Sequence, residues 1–240
     1  MNGIRHFVVT YRGGDLLRAS LASLGSKAED VTVIDNGLED GWAAQPAKYW
    51  PNLLRHPLST GHLARSWNQA IMFGFGSLTE PAAEAVVLAQ HDILYLPDFY
   101  EHVEQALKEG LDFVSWGPGD ACMLITPRCV REVGLFDERF CVLCYQEADY
   151  FVRARWALGA RASINDAHHA RVFNPRPTAL IETPPGHPVR GQFPDHLYYL
   201  QDLFCRKWGC DAKAAFASEV PLACALPQPI LYPWFEGTSA

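Results

Sequence analysis

Ile4-Arg5-His6-Phe7-Val8-Val9, Val31-Thr32-Val33-Ile34-Asp35 and Ala85-Val86-Val87-Leu88-Ala89 are three short apolar runs, and each leads into polar residues. None alternates apolar with polar, so each reads as a strand buried on both faces. The segments between them have helical spacing. Asp15 suits a cap for a helix whose apolar face is Leu17, Leu21 and Leu24. A second helix covers 64–75 with Trp67 and Ile71 inward, and Pro97-Asp98 opens a third that carries Phe99, Val103, Ala106 and Leu107 and closes at Gly110. Strands separated by helices predict an α/β fold with a mainly parallel central sheet flanked by helices. Ligands of such sheets sit at the carboxyl ends of the strands. That rule selects Thr10-Tyr11-Arg12, Asp35-Asn36-Gly37 and Gln90-His91-Asp92.

Further along, Met123-Leu124-Ile125 reads as a strand and 148–158 as a helix. Residues 174–195 are a Pro-rich connection, and an irregular tail begins at Pro221. At 240 residues the chain suits one domain in two halves, 1–115 for a nucleotide and 116–210 for an acceptor and catalysis, with 211–240 as a tail. Hydrophobic residues make up 49% and charged ones 20%, which excludes a disordered chain, and the net charge of −7 argues against a protein that coats nucleic acid. No apolar run reaches the roughly 18 residues of a membrane span, and no signal peptide is evident, so a soluble cytoplasmic protein is expected. Seven cysteines without a regular framework read as reduced thiols; Cys141 and Cys144 form a lone C-x-x-C whose plainest reading is incidental.

Several stretches together resemble the family-2 glycosyltransferases. Val8-Val9-Thr10-Tyr11-Arg12 with Leu16-Leu17 and Leu21 is similar to that family's opening strand and helix, although Arg12 stands where Asn is usual. Val33-Ile34-Asp35-Asn36-Gly37 resembles its second strand and turn. Gly61 with Ala64-Arg65 and Asn68-Gln69-Ala70 resembles the loop and helix over the nucleotide, with one extra residue. The most recognisable part is Gly134-Leu135-Phe136-Asp137-Glu138-Arg139-Phe140 followed by Glu147-Ala148-Asp149-Tyr150-Phe151-Val152-Arg153-Ala154; Arg206-Lys207-Trp208-Gly209 resembles a terminal motif. The similarity covers about residues 4–210 and rests on order and spacing. It implies a GT-A fold, Rossmann-like, and an inverting transfer of sugar from a nucleotide diphosphate sugar, UDP-sugar above all, to a hydroxyl.

The resemblance also implies site residues. A metal-holding Asp-x-Asp turn would fall at Gln90-His91-Asp92, where only Asp92 is a carboxylate and is the implied ligand; oxygen ligation suits Mg²⁺ or Mn²⁺, with a turn cap as the alternative. Gln90 then faces ribose or sugar, and His91 is either a ligand or a loop residue. His168 or His169 would complete the metal site, at most one of them, because neighbours on a strand point to opposite faces. Asp35 suits the uracil imide N–H, with an Asx turn as the alternative. Thr10, Tyr11, Arg12, Arg65 and Asn68 join the nucleotide set, against core or solvated-helix readings. The base that takes the acceptor's proton falls at Glu147, where the family's Glu-Asp-x-Asp reads Gln146-Glu147-Ala148-Asp149. Asp149 competes for that role, or else complements the helix dipole.

Three functions compete. In the first the acceptor is a saccharide or lipid-linked molecule. In the second it is a hydroxymethylated base in phage-type DNA, since 151–210 holds eight Lys/Arg against four Asp/Glu. The third is an inactive nucleotide-binding module, suggested by Gln90 and Gln146 where carboxylates are usual.

Overall fold

The computed structural model describes residues 3–10, 14–36, 54–55, 63–117, 119–140, 145–165, 172–173 and 193–226. The three apolar runs form β1 (Ile4–Thr10), β2 (Val31–Asp35) and β4 (Ala85–Gln90), and β3 (Leu54–Arg55) lies beside β2. β1 pairs parallel with both β2 and β4, and β2 pairs parallel with β3. Two more strands, β6 (Phe113–Trp116) and β7 (Cys122–Ile125), form an antiparallel pair, and β8 (Ala162–Ser163) runs parallel to β6. The sheet order is β3-β2-β1-β4-β7-β6-β8, with β7 antiparallel to β4. A separate small sheet joins β5 (Leu94–Tyr95) to β9 (Val172–Phe173). The expectation of a mainly parallel sheet therefore stands, with β7 as its reversed member.

Helices cover both faces because the strands carry apolar side chains on both. Leu17 and Leu21 of α1 (Gly14–Ser23) pack with Val8, Val33 and Val87 on one face. α3 (Phe99–Lys108) joins them there through Phe99, Val103 and Ala106. On the other face Phe7, Val9 and Leu88 meet α2 (Leu63–Phe75), α4 (Pro127–Val133) and α5 (Gln146–Leu158). Trp67 and Ile71 are fully buried, as their spacing predicts. α5 is buried all round: Tyr150 and Phe151 face the sheet, and Ala148 and Val152 face α6 (Phe193–Trp208) and α7 (Ala212–Ala217).

Some boundaries differ from the sequence reading. Asp15 sits inside the first turn of α1 instead of capping it, paired at 3.5 Å with Arg18. α5 begins at Gln146, two residues earlier than expected, so Asp149 lies a full turn inside it. α4 went unread, although Thr126 accepts a bond from the Cys129 N–H and Pro127 opens the helix. The last residues of the expected 174–195 connection belong to α6, and residues 221–226 carry no helix or strand. Cys141 and Cys144 lie outside the described residues. Cys122, Cys129, Cys205, Cys210 and Cys224 are free thiols. No helix among the described residues is long and apolar enough to cross a membrane.

Candidate active site

The carboxyl edge of the sheet brings the sequence-selected turns together. Thr10 lies opposite Asp35, and Val9 opposite Gln90, so the ends of β2, β1 and β4 stand in one row. The Asn36 N–H donates to the Thr10 carbonyl at 2.9 Å, and the Asn36 amide donates to Ser66 Oγ at 2.6 Å, which ties this edge to the first turn of α2. Asp35 and Asp92 are buried at this edge. His91 is buried too: burial lowers its pKa, and the Asp92 charge and a bond to the Val9 backbone act against that. Tyr11, Arg12, Gly61, His168 and His169 lie outside the described residues, as do Arg171, Arg176 and Arg190 of the basic stretch.

Two members of the expected nucleotide set are occupied elsewhere. Arg65 pairs with Glu138 at 3.1 Å. The Asn68 amide donates to the Phe136 carbonyl and to Glu138, both at 3.0 Å, and its oxygen accepts from the Phe136 N–H at 2.8 Å. Asn68 thus acts like a strand partner for the loop at 134–140, because its side chain copies a peptide group.

Asp149 is similarly engaged. It accepts from Arg153 Nε at 3.0 Å and Trp208 Nε1 at 3.0 Å, and pairs with Lys207 Nζ at 2.6 Å. Lys207 is fully buried and also reaches Asp137 at 2.8 Å. Arg139 clamps Asp137 through Nε and Nη2. Burial is the largest influence on Asp137 and pushes its pKa up, but Arg139 and Lys207 together outweigh it and hold the carboxyl at about 2. Three stretches that looked separate in sequence, at 134–140, 147–154 and 206–209, therefore close on one buried ion cluster. Lys207 belongs to the Arg206-Lys207-Trp208-Gly209 stretch, and only the fold shows that it reaches two aspartates 58 and 70 positions upstream.

Glu147 stands differently. Part of its surface is open, yet Oε2 is enclosed and finds no partner among the described residues. It sits in the first turn of α5, directly after Tyr145, whose φ of 65° is left-handed. A non-glycine residue rarely holds that conformation, and tertiary contacts must impose it. Tyr145 is gripped by the Phe204 ring, with centroids 5.6 Å apart. Burial, and next the Asp120 charge, raise the Glu147 pKa to about 8.

Asp120 was missed by the sequence reading. It lies in the turn between β6 and β7, fully enclosed. Oδ1 accepts from Gln90 Nε2 at 2.5 Å, and Oδ2 from Trp67 Nε1 at 3.0 Å and Gln146 Nε2 at 3.2 Å. Burial raises its pKa, and these donors work against that rise. The available signal was Gly119-Asp120 just past an apolar run, a turn dipeptide after a strand.

A sheet ordered in this way, with helices on both faces and the polar turns at its carboxyl edge, is the GT-A fold. Solved structures share this architecture. S. aureus TarS 1–349 matches with a TM-score of 0.52 at 13% identity, over 85% of this chain and 73% of that one. A longer S. aureus TarS structure gives 0.54 at 13% identity, and this chain spans 39% of it. Mycobacterium tuberculosis glucosyl-3-phosphoglycerate synthase, in complex with Mg²⁺ and UDP, gives 0.50 at 11% identity over 68% of each chain. No protein-family model and no curated protein matches the chain in sequence.

Proposed function

We propose that the chain is a glycosyltransferase that moves a sugar from a nucleotide diphosphate sugar, UDP-sugar by preference, to an acceptor hydroxyl with inversion. The observation that carries this reading is Glu147: an enclosed carboxylate oxygen without a partner among the described residues, linked through the Asp120 turn to the carboxyl edge of a GT-A sheet. The nucleotide lies along Thr10, Asp35 and Gln90, with the base against Asp35. Glu147 Oε2 takes the proton of the acceptor hydroxyl while that oxygen bonds to the anomeric carbon. The bond from that carbon to the diphosphate breaks, and the nucleoside diphosphate leaves with the electron pair. Asp149 is committed to Arg153, Lys207 and Trp208, so its role is to hold α5.

No group of three His, Cys, Asp or Glu among the described residues makes a complete metal cage. A Mg²⁺ or Mn²⁺ ion carried by a diphosphate needs only one or two protein carboxylates, the rest of its shell being phosphate oxygens and water. Asp92 fits that lesser demand and would hold the ion, which supplies positive charge to the leaving diphosphate. Residues 1–115 then serve the donor and 116–210 the acceptor, a saccharide or lipid-linked hydroxyl. The test offers UDP-glucose, UDP-GlcNAc and GDP-mannose with Mn²⁺ and measures nucleotide release. Release from a UDP-sugar that is lost in Glu147→Gln is the expected result. No release from any donor, or equal release in Glu147→Gln, overturns the reading.

A further inference from the structure

Gln90 and Gln146 stand at the two positions where the resembled pattern carries a carboxylate, and both donate their amides to Asp120. Two departures from one pattern thus converge on one side chain. With the Trp67 indole, they supply donors from β4, α2 and α5 to a carboxylate that has no ion-pair partner among the described residues. Those donors favour its ionised form. Glu147 lies beside this anion: Gln146 is its chain neighbour, and a Cβ on Gly119, the neighbour of Asp120, would lie 3.8 Å from Glu147 Cγ. The φ of +58° at Gly119 lets the turn come that close. Among the described residues no lysine, arginine or histidine pairs with either carboxylate, and Asp120 is the ionisable group that acts on Glu147.

We propose that Asp120 is the positioning residue that tunes the base: fixed as an anion by Trp67, Gln90 and Gln146, it makes Glu147 the member of the pair that takes up a proton. This rests on the assignment of Glu147 as base and deepens it. Two adjacent carboxylates do not ionise together without cost, so the one with three donors ionises first, and the one whose Oε2 has no partner among the described residues binds a proton more tightly once the other is ionised. The glutamines matter because an amide donates where a carboxylate would repel. Asp120 itself touches neither donor nor acceptor in this account.

The test uses protein labelled with ¹³C at the side-chain carboxyls of Glu and Asp, titrated by NMR, with Glu147→Gln and Asp120→Asn assigning the two signals. Glu147 is expected to titrate near 8 in the native protein. In Asp120→Asn its midpoint should fall by about one pH unit or more. An unmoved midpoint, or a Glu147 that titrates with the exposed glutamates from the start, overturns the proposal. If Asp120→Asn loses its near-ultraviolet circular dichroism, the donors are tested instead: Gln146→Leu, which takes one donor from Asp120 and keeps both carboxylates, must raise the Asp120 midpoint, and an unmoved Asp120 overturns the proposal equally. Nucleotide release from UDP-GlcNAc separates the two assignments. Full release in Glu147→Gln defeats the base and leaves the pair standing, whereas a lost activity with uncoupled titrations defeats the pair alone.

Discussion

At the scale of the residue, Glu147 sets function against stability. Its Oε2 has no partner among the described residues, so ionisation inside the protein is costly and the folded state keeps the proton to about pH 8, while an unfolded chain releases it near 4.5. A folded-state pKa raised above the unfolded value contributes stability that is full below about 4.5 and is lost as pH rises through about 8. Denaturant midpoints should therefore decline across that window, and Glu147→Gln, which cannot ionise, should flatten the decline; an unchanged slope would place Glu147 in water. The same substitution removes the proton acceptor but keeps the shape. Turnover of a UDP-sugar should fall about a hundred- to ten-thousandfold while nucleotide affinity, read by calorimetry, stays level. Asp149→Asn should act differently, through unfolding, because three donors lose the charge they face.

At the scale of the element, α5 is held by residues that precede and follow it in the chain. The cluster of Asp137, Arg139, Asp149, Arg153 and Lys207 fastens it to the loop at 134–140 and to α6. Removing one partner from a buried pair leaves an uncompensated charge, which costs about 3–5 kcal/mol. Lys207→Met should lose stability on that scale in urea, whereas Arg206→Met, whose pair with Asp202 is exposed, should lose less than about 1 kcal/mol. A near-equal effect of the two would show that Lys207 reaches water. α2 is placed by a close approach: a Cβ on Gly74 would lie 2.3 Å from Val86 Cγ2 on β4. Overpacking of this kind costs about 1–3 kcal/mol, and the better helix propensity of alanine returns up to about 1. Gly74→Ala is thus expected to be a net loss, and a variant at least as stable as the native chain would contradict the packing of α2 on β4.

At the scale of the whole molecule, one sheet joins residues 1–115 to residues 116–210, since β7 hydrogen-bonds directly to β4. A ligand that binds the native state alone stabilises that unit by linkage, about 2.7 kcal/mol at a hundred times its Kd. UDP with Mn²⁺ should raise Tm in a concentration-dependent way, and Asp35→Ala should abolish the rise without lowering the Tm of the free protein by a comparable amount. Stabilisation by another nucleotide but not by UDP would remove the uracil assignment.

The strands β1, β2 and β4, their alternation with α1 to α3, and the polar residues Thr10, Asp35 and Gln90 at their ends followed from the sequence alone. Apolar periodicity and turn residues act over a few positions, and those are what a linear reading contains. Glu147 stands out in the sequence only through the family resemblance, by its spacing from 134–140. The reversed β7, the engagement of Arg65 and Asn68 with the loop, and the closure of Lys207 on Asp137 and Asp149 required the tertiary structure. So did Asp120, whose three donors come from positions 67, 90 and 146. Each of these joins groups far apart in the chain, and whether a buried charge or amide is satisfied is decided by which distant partner packs against it, a fact that no local pattern records.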